Sequence, residues 1–198
     1  PELEHLIEAN INSADKKKQN AAPTCATCHM SATKDQDVTH DVGMRISWNN
    51  RPVFSIRPEK SDEKMGLPGA KVDWKQRRKN MKNVCHNCHS EEYVESFYFQ
   101  YDSLVTLYNE KYAKPGQELV GAAKPLLKPA NFSNKLDWIW FELWHHEGRR
   151  ARHGAAMMGP DYTHWHGTYD LAKHFYTKFV PELEHLIEAN INSADKKK

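Results

Sequence analysis

Two pentapeptides, Cys25-Ala26-Thr27-Cys28-His29 and Cys85-His86-Asn87-Cys88-His89, hold all four cysteines of this 198-residue chain. At Cys-x-x-Cys-His spacing, each thiol can form a thioether to one haem vinyl group while the adjoining imidazole ligates the iron. The motifs therefore predict haem c at Cys25, Cys28, Cys85 and Cys88, with His29 and His89 as iron ligands. No thiol is left for a disulfide or a nucleophile. Two such pairs can also close one tetrahedral zinc site or act as dithiols. Zinc ribbons and fingers separate their pairs by about 12–20 residues, whereas the whole of residues 29–84 lies between Cys28 and Cys85. Zinc also gives no reason for a histidine after both second cysteines.

The chain holds twelve histidines. His5 and His185 occupy the same position of a duplicated segment and read as surface. His86 lies inside its own motif turn and cannot easily reach the iron its neighbour ligates. His40, His145, His146, His153, His164, His166 and His174 remain. Two haems take at most two further axial ligands, so this pool exceeds the need. His174, on the outer part of a helix, is the plainest case of an ordinary hydrogen-bonded histidine. His146 and His153 share a helix face. The runs Trp144-His145-His146-Glu147 and Tyr162-Thr163-His164-Trp165-His166-Gly167 suggest that some of these side chains serve haems carried on other sequence. His40, His146, His164 and His166 are the candidate far-side ligands.

These residues call for a mostly α protein, a multihaem cytochrome c with a long C-terminal helical bundle and a short β-hairpin. Residues 73–89 read as a helix into the second motif. Ser90 caps a helix with apolar residues from Val94 to Tyr108 at three- and four-residue steps, expected to stop before Pro115-Gly116. A short apolar helix falls within 115–130. Ser133 caps another running towards Met157, and Gly159-Pro160-Asp161 starts the last, with a kink at Pro181. Arg45–Trp48 and Val53–Ile56 flank Asn49-Asn50-Arg51-Pro52 and read as the hairpin. The expected division is residues 1–20 as amphipathic helix and linker, 21–112 as the two-haem region and 113–198 as the C-terminal helical region. Residues 1–18 recur unchanged at 181–198. Two identical copies at the two ends are unlike a repeat architecture; they suggest joined or permuted termini and carry no biochemical meaning.

Composition agrees. The apolar fraction is 39% and the mean hydropathy −0.83, low for a chain that must fill its own core, and porphyrin bulk would offset the deficit. A net charge of +2 is too small to imply nucleic acid. Lys75–Lys79 and Arg149, Arg150 and Arg152 read as solvated faces or partners for haem propionates. No run of 18 apolar residues exists, so no transmembrane segment is expected. Haem is attached to such motifs outside the cytoplasm, which predicts a periplasmic or equivalent compartment, with any export signal removed or outside this sequence.

The stretch Trp144-His145-His146-Glu147-Gly148-Arg149-Arg150-Ala151-Arg152, continuing through Gly154–Asp161 to Tyr162-Thr163-His164-Trp165-His166-Gly167, closely resembles the hydroxylamine oxidoreductase family. So do Pro23–Met30 and Thr39-His40-Asp41-Val42-Gly43. This octahaem family includes the hydrazine dehydrogenases of anaerobic ammonium oxidisers, and the likeness runs from about residue 21 to 190. It implies the C-terminal, two-haem part of such an enzyme, a homotrimer, a redox partner cytochrome and hydroxylamine or hydrazine as substrate. In an anaerobic ammonium oxidiser the compartment would be the anammoxosome. It also implies that Tyr162 bonds covalently to the catalytic haem of a neighbouring subunit, with Tyr169 the runner-up. The catalytic haem's motif and its acid–base residues lie upstream in the family. The rival reading is a free-standing two-haem electron carrier without catalysis.

Overall fold

The computed structural model describes residues 24–46 and 74–195. Among them all regular structure is helical, apart from one isolated bridge between Thr33 and Gln36. The mostly α expectation therefore stands. Of the expected hairpin, Arg45 closes a 3-10 turn and Ile46 follows it in extended backbone; the rest lies outside the described residues. The chain divides into two compact units, Pro1–Asn49 with Arg57–Ser96, and Asn50–Ile56 with Phe97–Lys198.

The first unit holds α1 (Cys25–His29), the 3-10 turn Val42–Arg45, α2 (Trp74–Cys85) and the opening turns of α3 (Glu91–Tyr108). Thr24 and Thr27 start α1 by exchanging bonds: Thr27 N–H donates to Thr24 Oγ1 at 3.3 Å, and Thr24 N–H to Thr27 Oγ1 at 3.1 Å. Two of the orphan donors at the helix start are thereby satisfied. Ser90 caps α3 as predicted, accepting from Tyr93 N–H at 3.4 Å, and Glu91 and Glu92 in the first turn suit the helix dipole. Among this unit's described residues only Val84 and Val94 are buried hydrophobics, while Arg45, Arg77 and Asn80 are buried polar ones. These described residues alone bury too little apolar surface to form a core.

The second unit has a proper core. Tyr108, Leu136, Ile139, Leu143, Leu171, Phe175, Phe179 and Leu183 form one buried cluster, at the three- and four-residue steps of helices showing one face inward. The cluster draws on the end of α3, α4 (Lys114–Ala123), α5 (Lys135–Phe141), α8 (Asp170–His174) and α9 (Val180–Asp195), and the unit also holds α6 (Gly148–Ala156) and α7 (Pro160–Thr163). Four π-turns link these helices: Asn109–Ala113, Glu142–Glu147, His164–Tyr169 and Phe175–Phe179.

Two π-turns deal with prolines. Lys114 N–H reaches back five residues to the Asn109 carbonyl, and Pro115 follows; Val180 N–H reaches the Phe175 carbonyl, and Pro181 follows. Proline cannot donate and its ring crowds the carbonyl four residues back, so a widened turn just before it lets the helix continue. The stop predicted before Pro115-Gly116 is therefore a continuation into α4. Asn134, not Ser133, starts α5: its N–H donates to Asp137 Oδ2 at 3.2 Å, while Ser133 Oγ donates to the Ala130 carbonyl. No helix among the described residues is long and apolar enough to cross a membrane.

Candidate functional site

Both haem-attachment motifs fall in the first unit. The reciprocal threonine cap starts α1, which holds Cys25, Cys28 and His29 within little more than one helical turn. The second motif unwinds from the end of α2: Cys88 N–H donates to the Cys85 carbonyl at 3.1 Å and His89 N–H to the same carbonyl at 2.9 Å. All four cysteines are unbridged; Cys25 and Cys88 are exposed, Cys28 and Cys85 half-buried. Burial pushes the Cys28 and Cys85 thiols up, and neighbouring sulfurs add to it: Cys25 and Cys88 at Cys28, Cys28 and Cys88 at Cys85. The two motifs are thus close enough to feel each other's charge.

The donor set fits haem c. A structural zinc site needs converging thiolates. Here no three Cys, His, Asp or Glu side chains among the described residues converge on a point that could hold a metal ion. Haem asks instead for two thiols and one imidazole per motif, and each motif supplies one exposed and one half-buried cysteine beside its histidine. His29 Nδ1 is buried without a hydrogen-bond partner. The His89 ring stacks on Tyr93 at 4.4 Å between centroids and 16° between planes. His86 Nε2 lies 3.1 Å from Glu91 Oε2.

The remaining candidates are placed in two groups. His40 is exposed in the loop between α1 and the 3-10 turn, where Thr39 N–H donates to the Met30 carbonyl at 3.0 Å, just past the first motif. Tyr162, His146, His164 and His166 belong to the second unit and are exposed; the Tyr162 and His166 rings lie 5.2 Å apart. A reversal after α6 positions Tyr162, His164 and His166. Gly159 N–H bonds the Gly154 carbonyl and Met158 N–H the Ala155 carbonyl, with Met158 at φ 58°, a Schellman ending. The segment 160–169 then lies against buried Ala151 and Gly154 of α6, while buried Gly148 faces the Tyr108 ring. A Cβ at Gly167 would stand 2.6 Å from Ala151 Cα, and one at Gly154 2.6 Å from Thr163 Oγ1.

Four of the histidines sit in the two π-turns that no proline explains: His145 and His146 in Glu142–Glu147, His164 and His166 in His164–Tyr169. Such turns concentrate at functional sites. His145, not among the sequence candidates for iron, is half-buried with Nδ1 unpaired and its ring stacked on Phe141 at 4.4 Å. Burial, Arg149 and His146 push its pKa down, favouring the neutral, ligating form. Its place four residues after Phe141 is the signal that could have found it. His174 is hydrogen-bonded as predicted, its Nδ1 paired with Glu147 Oε1, but it is half-buried rather than outward.

Residues 4–119, more than half of the chain, match the family described as seven times multi-haem cytochrome CxxCH. The chain belongs to this multihaem cytochrome family. Haem c is accordingly its cofactor class, and electron transfer its coarse role. The match ends before Trp144–Gly167, the stretch that carries the resemblance to hydroxylamine oxidoreductase. No curated protein matches the multihaem chain at a significant level. Among solved structures it is similar to a reducing HAO-like protein complex of Kuenenia stuttgartiensis (TM-score 0.68, 15% identity, 93% of this chain and 49% of that one). It is also similar to a hypothetical multiheme protein (TM-score 0.61, 21% identity, 90% of this chain and 46% of that one). At these identities the likeness is one of fold, and the chain spans about half the length of the structures it matches.

Proposed function

We propose that this chain is part of a multihaem oxidoreductase of the hydroxylamine oxidoreductase kind, contributing two electron-relay haems and residues to a catalytic haem held by a neighbouring subunit. The observation that carries the reading is the first unit: two Cys-x-x-Cys-His motifs close enough for their sulfurs to interact, with Val84 and Val94 the only buried hydrophobics among the unit's described residues. Haem c supplies, when bound, a one-electron iron couple and, where an iron face is open, a site for a nitrogen ligand.

The chain's own residues do the rest. Cys25, Cys28, Cys85 and Cys88 would hold haem through thioethers, each S–H adding across one vinyl group, and His29 and His89 would ligate the iron. Tyr93 fixes the plane of His89 by stacking on it. His40, His146, His164 and His166 would be the further iron ligands, for haems carried here or on adjoining sequence. Tyr162, exposed on the segment that lies along α6, is the residue for the covalent bond to a neighbouring subunit's catalytic haem, in a homotrimer. The substrate class is a small nitrogen hydride or hydroxylamine, electrons leave to a partner cytochrome, and the compartment is extracytoplasmic.

Intact mass spectrometry of the matured protein tests the haem count and the tyrosine adduct together. A mass two haems above the polypeptide supports the reading, and a bare polypeptide mass ends it. Dye reduction driven by hydroxylamine or hydrazine, assayed in both directions because one fold neighbour is described as reducing, separates the enzyme from a free-standing two-haem carrier. Low-spin spectra with no turnover in either direction leave the carrier.

A further inference from the structure

Arg45 is 2% exposed and ends the 3-10 turn that follows the first motif. Its guanidinium grips the end of α1: NH1 donates to the Cys28 carbonyl at 3.0 Å and NH2 to the Ser31 carbonyl. The Cys28 carbonyl is among those a helix leaves without intrahelical partners, and Ser31 lies just past the cap. Asn80 braces the same turn, its Nδ2 donating to the Met44 carbonyl at 2.9 Å, and Gln36 Nε2 donates to the Asn80 carbonyl at 3.2 Å. Arg45 is thus held from two sides. Its Nε is buried without a partner, and no carboxylate among the described residues pairs with it. An arginine stays charged in proteins, and a buried charge with no counter-charge is costly unless the completed site provides one.

We propose that Arg45 is the electrostatic positioning residue of the first motif: its buried charge sets the reduction potential of the haem attached at Cys25 and Cys28. The inference rests on haem being carried there. A fixed positive charge one hydrogen bond from the attachment residue favours the form with the extra electron, and low polarity around it sharpens the effect. The same guanidinium fixes the carbonyl of Cys28 and so the direction in which His29 leaves α1. Charge and orientation separate by substitution. Lysine keeps the charge but lacks the planar fork, and glutamine keeps one donor but no charge.

The test is spectroelectrochemical titration of the full, matured chain as wild type, Arg45→Lys, Arg45→Gln and Arg45→Met, after intact mass has counted the haems. In the Gln and Met variants one of two midpoints is expected to fall while the other stays. The expected shift is about tenfold in the electron-sharing equilibrium between the haems, which is about 59 mV for a one-electron couple. Arg45→Lys is expected to stay near wild type. Wild-type midpoints in Gln and Met, an equal fall of both midpoints, or a Lys variant that falls as far as Gln would each overturn the proposal. If the neutral variants fail to mature, Arg45→Lys decides alone, with a retained midpoint supporting the charge and a lost one refuting it. A wild-type chain with no haem at the first motif would instead sink the reading of the site itself.

Discussion

Replacing Gly167 by alanine is the sharpest test of how the second unit positions its histidines. The added Cβ would meet Ala151 Cα at 2.6 Å, with Ala151 N and Cβ at 2.8 Å, where ordinary contact begins at 3.4 Å. Two of these three atoms are backbone, so no flexible side chain can swing aside. Segment 160–169 and α6 must part by the better part of an ångström. Overpacking of this kind costs about 1–3 kcal/mol, and in a chain of this size each kcal/mol lowers the melting midpoint by about 2–4 °C. Urea and thermal unfolding, followed by circular dichroism on haem-loaded protein, measure it. Gly121→Ala is the control: nothing stands within 4 Å of its Cβ position in α4, so helix propensity alone should raise stability by about 0.5–1 kcal/mol. Ala151→Gly in the Gly167→Ala background removes one of the three clashing atoms and should restore part of the loss, a measurable coupling. A Gly167→Ala chain within about 0.5 kcal/mol of wild type, the ordinary range for surface changes, would refute the close approach and the geometry built on it.

Three further outcomes are expected. Met158→Gly should stabilise by about 0.5–1 kcal/mol in the same unfolding assay, because Met158 holds φ 58° at the Schellman turn while half exposed. Burial pushes Tyr108 up to about 12 from 10.0, so the unfolded chain loses that proton first. Its contribution is whole below pH 10 and is lost as pH climbs through 12, at about 1.4 kcal/mol per pH unit, a slope that Tyr108→Phe should remove. Replacing Cys25 and Cys28 together by serine should lighten the intact protein by one haem while leaving the other in place, and the same holds for Cys85 with Cys88; loss of both haems from either pair would contradict two separate sites.

The helical character and the motifs were legible because each rests on local signals. Ser90 before Glu91 and Glu92 announces a helix start, and Leu136, Ile139 and Leu143 announce an inward face. What the sequence concealed depended on partners far along the chain. Nothing near Arg45 marks it as buried, since its acceptors are the carbonyls of Cys28 and Ser31 and its brace is Asn80. Pro115 looks like a terminator when proline chemistry is read alone; the five-residue reach of Lys114 N–H is what defeats it. Ser133 and Asn134 are both good caps by type, and only the position of Asp137 chooses between them. Among the histidines, His145 and His146 are neighbours in sequence, yet one is tucked against Phe141 and the other faces solvent.

A π-turn holds one residue more than the α-turn it replaces, which makes each of the four described turns a site where the helix has absorbed a single-residue insertion. Deleting one residue within Glu142–Glu147 or His164–Tyr169 would leave a continuous rod, yet rotate everything beyond it by about 100° and carry the imidazoles to another side. The aim of these histidines is therefore stored as a phase offset along the chain. Length changes of one residue should damage the site more than many changes of residue type.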